Sequence, residues 1–160
     1  WDQIHNDTRL LAKSLAKLGN FEGIAAIARG GLIPAAIIAR ELDIRFVETI
    51  CISSYDHDNQ KNVKIIKQLK DKGSKWIIID DLVDTGKTAR VAKNMMPNAH
   101  FACIYAKPLG KSLADSFITE VVSKNYQGGF YRSSPCLFYL IDLILYFLTH
   151  LSKTLLYPLY

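Results

Sequence analysis

Apolar positions along the first three quarters of the chain alternate between two spacings. Ile4, Leu11, Leu15 and Leu18 recur near the helical period, and Gly19 behind them suits a helix C-cap, which predicts a helix over residues 2–18. Residues 24–28 form a short apolar run of the buried-strand kind. Arg29-Gly30-Gly31 then makes a tight connection, and Pro34 belongs in the first turn of a helix running to about Leu42. Further strands are expected over residues 46–53, 77–81, 101–106 and 117–122, with a helix over 89–96 stopped by Pro97. Strands alternating with helices predict an α/β fold: a central, mainly parallel sheet flanked by helices, with ligands at the carboxyl ends of its strands. Between residues 53 and 75 the pattern lapses. Lys61, Lys64, Lys67 and Lys70 recur every third residue there, which reads as a solvated helix or loop face.

The most informative run is Trp76-Ile77-Ile78-Ile79-Asp80-Asp81-Leu82-Val83-Asp84-Thr85-Gly86-Lys87-Thr88. An apolar strand stops at two carboxylates, and a small polar turn opens a helix. A helix N-terminus offers unpaired N–H groups and a positive dipole end to a phosphate. Asp80 and Asp81 would repel that phosphate, so they suit ribose hydroxyls or a divalent cation instead. A sugar phosphate with a metal fits both halves. The ending Gly86-Lys87-Thr88 imitates a Walker A loop, but that loop needs a glycine where Asp81 stands, and the charged side chain would intrude on a backbone phosphate nest. The nucleoside-triphosphatase reading fails there. A plain helix cap would explain any one of these residues, but not three aspartates and two threonines within positions 80–88.

This run resembles the phosphoribosyl diphosphate signature of the type I phosphoribosyltransferases: an apolar strand, two acids, two apolar residues, Asp-Thr-Gly, any residue, Thr. The stretches Ala28-Arg29-Gly30-Gly31-Leu32-Ile33-Pro34-Ala35 and Cys51-Ile52-Ser53-Ser54-Tyr55-Asp56-His57-Asp58-Asn59-Gln60 are similar to the xanthine-guanine branch of the bacterial purine enzymes. The resemblance runs from Trp1 to about Val122. It implies a type I phosphoribosyltransferase fold with a small hood, a mobile flap over residues 53–75 and a cis peptide between Ala28 and Arg29. It implies Mg²⁺ as cofactor, and purine base plus 5-phosphoribosyl 1-diphosphate as substrates. A homotetramer in the cytoplasm, with contact at the inner face of the cell membrane as a further expectation, completes the picture. The implied activity is purine salvage on guanine or xanthine, and weakly on hypoxanthine. Hypoxanthine-guanine specificity, or a catalytically impaired binder of phosphoribosyl diphosphate, are the alternatives.

Phosphoribosyl transfer assigns tasks to these residues. The 5′-phosphate belongs in the turn of Asp84, Thr85, Gly86, Lys87 and Thr88, where Gly86 permits close approach and Lys87 contributes through its backbone. Leu82 and Val83 complete the signature. Asp80 and Asp81 face the ribose, and Asp81 is the metal-side residue. Arg29, with the backbone of Gly30 and Gly31, takes the diphosphate, and Lys61 in the flap stands where the family has a basic residue that reaches it. By resemblance, Asp84 is the acid/base residue beside purine N7, Lys107 donates to the 6-oxo group, and Tyr126 stands where a tryptophan stacks on the base. The family's Trp-Ile-Glu-Gln-Pro-Trp motif is replaced by Tyr126-Gln127-Gly128-Gly129-Phe130-Tyr131, whose glycines hold no fixed register for reading the base.

Composition narrows the rest. At 160 residues the chain has enough length for one sizeable core. A net charge of +5 without a basic stripe among aromatics excludes nucleic acid as partner. Cys51, Cys103 and Cys136 are too few and too scattered for a disulfide framework or a zinc site, and the two in apolar strand-like runs read as buried structural thiols in a reducing compartment. The chain opens on Trp1 rather than methionine, so its natural N-terminus is expected upstream, and no signal peptide is expected before the first helix. The expected division is a phosphoribosyltransferase domain over 1–125 and a divergent apolar tail over 126–160. In that tail residues 137–149 are apolar except for Asp142, shorter than the roughly 20 residues of a membrane span. A core helix, an interfacial segment and out-of-frame sequence stay open, and the resemblance favours the last.

Overall fold

The computed structural model describes residues 1–54 and 63–121. Their elements are α1 (Asp2–Ala16), β1 (Gly23–Ala28), α2 (Leu32–Glu41), β2 (Phe46–Ser54), β3 (Val63–Lys67), β4 (Trp76–Val83), α3 (Lys87–Met95), β5 (His100–Ala106), a 3-10 turn at Lys111–Leu113, and β6 (Ser116–Glu120). The six strands make one sheet in the order β3-β2-β1-β4-β5-β6. Every neighbouring pair is parallel except β2 with β3.

Helices cover both faces, so the central strands bury both sets of alternating side chains. On one face Ile24 and Ala26 of β1 and Ile77 and Ile79 of β4 meet Leu11 and Leu15 of α1 and Ile38 of α2. On the other, Ala25, Ile27, Ile78 and Phe101 meet Ala89 and Ala92 of α3 and Met96 behind it. Each fully buried isoleucine or leucine here stabilises the fold by roughly 1.5–3 kcal/mol over an exposed one. Gly23 has a packing reason, because it stands opposite Trp76 and a Cβ there would collide with the indole ring.

The chain leaves β1 through α2 toward one edge of the sheet and leaves β4 through α3 toward the other. β1 and β4 are nonetheless neighbours, so the strand order reverses between them. At such a switch point the two carboxyl-end loops diverge and leave a crevice. Both sequence motifs end there.

Three expectations shift. Helix α1 closes at Ala16, because Lys17 and Leu18 donate to Ser14 and Leu15 in three-residue turns (3.2 and 2.9 Å). Strand β4 does not stop at the carboxylates but runs on to Val83, since Asp80, Leu82 and Val83 still pair with Cys103, Tyr105 and Ala106 of β5. The lysine row is partly an edge strand rather than a helix or loop face. Val63–Lys67 pairs antiparallel with β2, and Lys67 Nζ reaches Glu48 Oε2 (3.3 Å) and Thr49 Oγ1 (2.8 Å). Charged residues on an edge strand discourage pairing with another chain. That strand also occupies part of the expected flap. Residues 55–62 of the flap, with Lys61, lie outside the described residues, as do the tail over 126–160, Tyr126 and Cys136.

Candidate active site

The loop after β1 and the turn after β4 face each other across the switch point. Each opens a helix that no side chain caps, with Gly31 at the N-cap of α2 and Gly86 at the N-cap of α3. First-turn N–H groups of a helix have no partner within it. Two uncapped starts beside one crevice offer donors for anionic ligands.

Gly86 adopts φ +79°, the left-handed region that glycine enters at no steric cost, and this conformation lets β4 turn sharply into α3. Asp84 and Thr85 are exposed on the turn, Lys87 points to solvent and Thr88 is half-buried. Val83 is buried and Leu82 half-buried, so they anchor the strand beneath the turn. Lys107, at the end of β5, is drawn in by its own N–H, which donates to the Val83 carbonyl at 2.8 Å. Its Nζ stands 3.0 Å from Asp84 Oδ1. Asp84 is 57% exposed and Lys107 31%, so the pair adds little stability, but it fixes a carboxylate and an ammonium together beside the turn.

The acidic pair divides between the two faces. Ile77 and Ile79 face α1 and α2, so by alternation Asp81 points that way and Asp80 toward α3. The Asp81 carboxyl lies against Gly30, where a Cβ would overlap it. Asp81 Oδ1 also accepts the N–H of Leu82 at 2.8 Å, and Asp80 Oδ1 accepts that of Asp81 at 2.9 Å. Asp80 is only 7% exposed. Burial, then the charge of Asp81, push its carboxyl well above the usual range. Burial, then the nearby Asp80, push the Cys103 thiol up to about 12, which makes it the inert structural thiol expected. Cys51 is likewise free of any disulfide.

A carboxyl whose pKa is raised on folding holds its proton better folded than unfolded. Its contribution to stability therefore falls as pH climbs from the ordinary value of 3.8 toward the raised one. Asp80→Asn removes that loss and can keep the bond from the Asp81 N–H. In a chelator the variant is expected to melt above the parent at pH 8, with a smaller gap at pH 5. A 1 kcal/mol gain moves Tm by roughly 2–4 °C at this length. Equal gaps at the two pH values would mean that Asp80 stays ionised when buried.

On the β1 side, Ala28–Arg29 is a cis peptide, as the resemblance implies. Arg29 is exposed and Gly30 half-buried. Gly31 departs from its expected role. Its N–H is committed to the Ile27 carbonyl at 2.8 Å, and a Cβ there would collide with the Ile79 carbonyl. Gly31 closes the loop onto the sheet and leaves Arg29 and Gly30 to face a ligand. Among the described residues no three His, Cys, Asp or Glu side chains gather to enclose a metal. Motif reading passed over Gly110 and Leu113, which pack against Gly86 from the connection after Lys107. The Lys107-Pro108-Leu109-Gly110 stretch was the available signal, a turn composition directly after a strand.

The phosphoribosyl transferase domain family matches residues 1–129. The chain belongs to the phosphoribosyltransferase family. It is 57% identical over 122 residues to the xanthine-guanine phosphoribosyltransferase of Nitratidesulfovibrio vulgaris strain DP4, covering 76% of this chain and 75% of that one. The Desulfotalea psychrophila protein of the same name is also 57% identical over 122 residues, covering 76% of each. Among solved structures, the purine phosphoribosyltransferase of Pyrococcus horikoshii superposes with a TM-score of 0.66 at 26% identity, covering 84% of this chain and 95% of that one. This transferase carries the Asp80–Thr88 run at the switch point of its sheet. Among its described residues no helix is long and apolar enough to cross a membrane.

Proposed function

We propose that this phosphoribosyltransferase transfers the phosphoribosyl group of 5-phosphoribosyl 1-diphosphate to guanine or xanthine, and more weakly to hypoxanthine, releasing diphosphate. The observation that carries the reading is the Asp84–Lys107 pair, 3.0 Å apart on the rim of the phosphate turn. A proton acceptor beside a cationic donor matches the N7–H and 6-oxo edge of these purines. The 57% identical relatives named as xanthine-guanine phosphoribosyltransferases support the choice of base.

As the bond from ribose C1 to diphosphate breaks, positive charge grows on the sugar and negative charge on the leaving group. The 5′-phosphate sits on the N–H groups of the Asp84–Thr88 turn with the Thr85 and Thr88 hydroxyls. Arg29 and the Gly30 backbone receive the diphosphate, with Lys61 reaching in from the flap. Asp84 accepts the N7 proton while Lys107 donates to the 6-oxo oxygen, and Tyr126 is the aromatic residue available to the base. A 6-amino purine presents a donor to Lys107 and is disfavoured.

Asp81 is the residue that would hold Mg²⁺, which when bound would supply neutralising charge for the diphosphate. The fit rests on Asp81 lying against Gly30, so that the ribose side and the diphosphate loop share one point. One carboxylate suffices, because Mg²⁺ would take its other oxygens from water and substrate. In this reading residues 1–125 are the catalytic domain of a cytoplasmic homo-oligomer.

The test is a steady-state assay of the full chain with phosphoribosyl diphosphate, Mg²⁺ and each of four bases. Guanine and xanthine are expected to turn over, hypoxanthine more slowly and adenine not at all, with no reaction when Mg²⁺ is omitted. The replacement of the tryptophan motif by Tyr126-Gln127-Gly128-Gly129 favours one second reading, a protein that binds phosphoribosyl diphosphate with an impaired base site. Calorimetric binding of phosphoribosyl diphosphate with no turnover of any base would select it.

A further inference from the structure

Residues 107–115 join β5 to β6 and lie along the phosphate turn. At one end Lys107 is held by Asp84 and by the Val83 carbonyl. In the middle Gly110 is so close to the turn that a Cβ would stand 2.7 Å from the Asp84 carbonyl oxygen and 3.0 Å from the Gly86 nitrogen. Leu113 then caps the turn, with its Cδ1 2.5 Å from where a Cβ on Gly86 would stand. The far end is tied to α3. Lys93 Nζ donates to the Leu113 carbonyl at 3.3 Å and pairs with Asp115 Oδ1 at 2.6 Å. Asp115 is fixed to β5 as well, its Oδ2 accepting the Phe101 N–H and its own N–H donating to the Phe101 carbonyl, both at 2.8 Å. Burial pushes the Asp115 carboxyl up, but the Lys93 and Phe101 hydrogen bonds and the charges of Lys93 and His100 outweigh it and hold it below the usual range.

We propose that Lys93 is a positioning residue, which by clasping Leu113 and Asp115 sets the distance between Lys107 and the phosphate turn. The inference rests on the reading above, in which the base meets Lys107 and the 5′-phosphate meets the turn. Lys93 lies in the last turn of α3 and acts only through the connection. A 6-oxopurine nucleoside 5′-monophosphate spans both places and so feels their separation. Phosphoribosyl diphosphate carries no base and does not.

The experiment compares the affinities of full-length parent, Lys93→Met and Lys93→Arg for guanosine 5′-monophosphate and for phosphoribosyl diphosphate with Mg²⁺. Lys93→Met is expected to weaken nucleotide binding about 10-fold and phosphoribosyl diphosphate less than about 3-fold, with Lys93→Arg restoring the nucleotide to within about 3-fold. A lysine that only stabilised the fold would lower Tm and leave the ratio of the two affinities unchanged, and that result overturns the proposal. Where Lys93→Met does not fold, Asp115→Asn gives the same ratio test, since it keeps an acceptor for Phe101 but surrenders the charge facing Lys93. A parent that binds neither ligand defeats the functional reading, and amide exchange then decides the clasp. The Gly110 and Leu113 amides, bonded to Lys107 and Gly110 carbonyls at 3.0 Å each, should exchange about 10-fold faster in Lys93→Met. Unchanged exchange overturns the proposal.

Discussion

Asp84→Asn is expected to cut turnover of guanine by about 100- to 10,000-fold, the usual range for loss of a general acid–base group. Affinity for phosphoribosyl diphosphate should stay within about 3-fold of the parent, since the turn binds phosphate through backbone N–H groups and threonine hydroxyls. Asparagine matches aspartate in shape, so the turn need not rebuild. What it lacks is basicity. With N7 still carrying its proton, the attacking base would have to develop positive charge beside the growing charge on the sugar. Loss of the Lys107 partner is the minor effect, because an ion pair this exposed contributes roughly 0.2–1 kcal/mol. The measurement separates the cases. A fall in kcat with unchanged binding assigns proton transfer to Asp84, whereas equal losses of rate and binding would make it only a shaper of the phosphate turn.

How far the fold could be read from the chain depended on where its contacts run. The helices and the apolar cores of β1, β4 and β5 announce themselves, because buried strands carry unbroken apolar runs and helices carry their period locally. The end of β4 did not, since Asp80 and Asp81 look like a strand terminus. Pairing with β5 carries the strand through them, leaving Asp80 buried at 7% exposure. Strand β3 was hidden for the opposite reason. Its Ile65 and Ile66 are exposed and its Lys67 answers both Glu48 and Thr49 across the edge, so neither amphipathic template applies. Within the site, Arg29, Gly30, Asp81, Asp84 and Gly86 were marked by local motifs. Lys107 came only through resemblance, and its approach to Asp84 is a contact between separate strand ends. Gly110 and Leu113 carried no local mark, because their purpose is a steric fit to Gly86 made only in the folded chain.

Gly30→Ala should abolish productive binding of phosphoribosyl diphosphate with Mg²⁺, weakening it by about 100-fold or more, with the fold retained. The backbone at Gly30 lies outside the positive-φ region, so alanine is permitted there on conformational grounds. The conflict is with one neighbour, since the new methyl would overlap the Asp81 carboxyl. Either Asp81 swings aside or the diphosphate loop lifts, and both separate the ribose side from the diphosphate side. A hundredfold loss corresponds to about 2.7 kcal/mol. Gly31→Ala provides the contrast. Its methyl would strike the backbone of Ile79 and Ile27 inside the sheet, so that variant should lose stability first and binding only as a consequence. A double-mutant cycle decides whether Gly30 works through Asp81. Once Asp81→Ala has removed the carboxyl, Gly30→Ala has nothing left to displace and should weaken binding by no more than about 3-fold further. Independent, additive losses from the two substitutions would instead place the effect in the loop backbone, and separate Gly30 from the metal-side carboxylate.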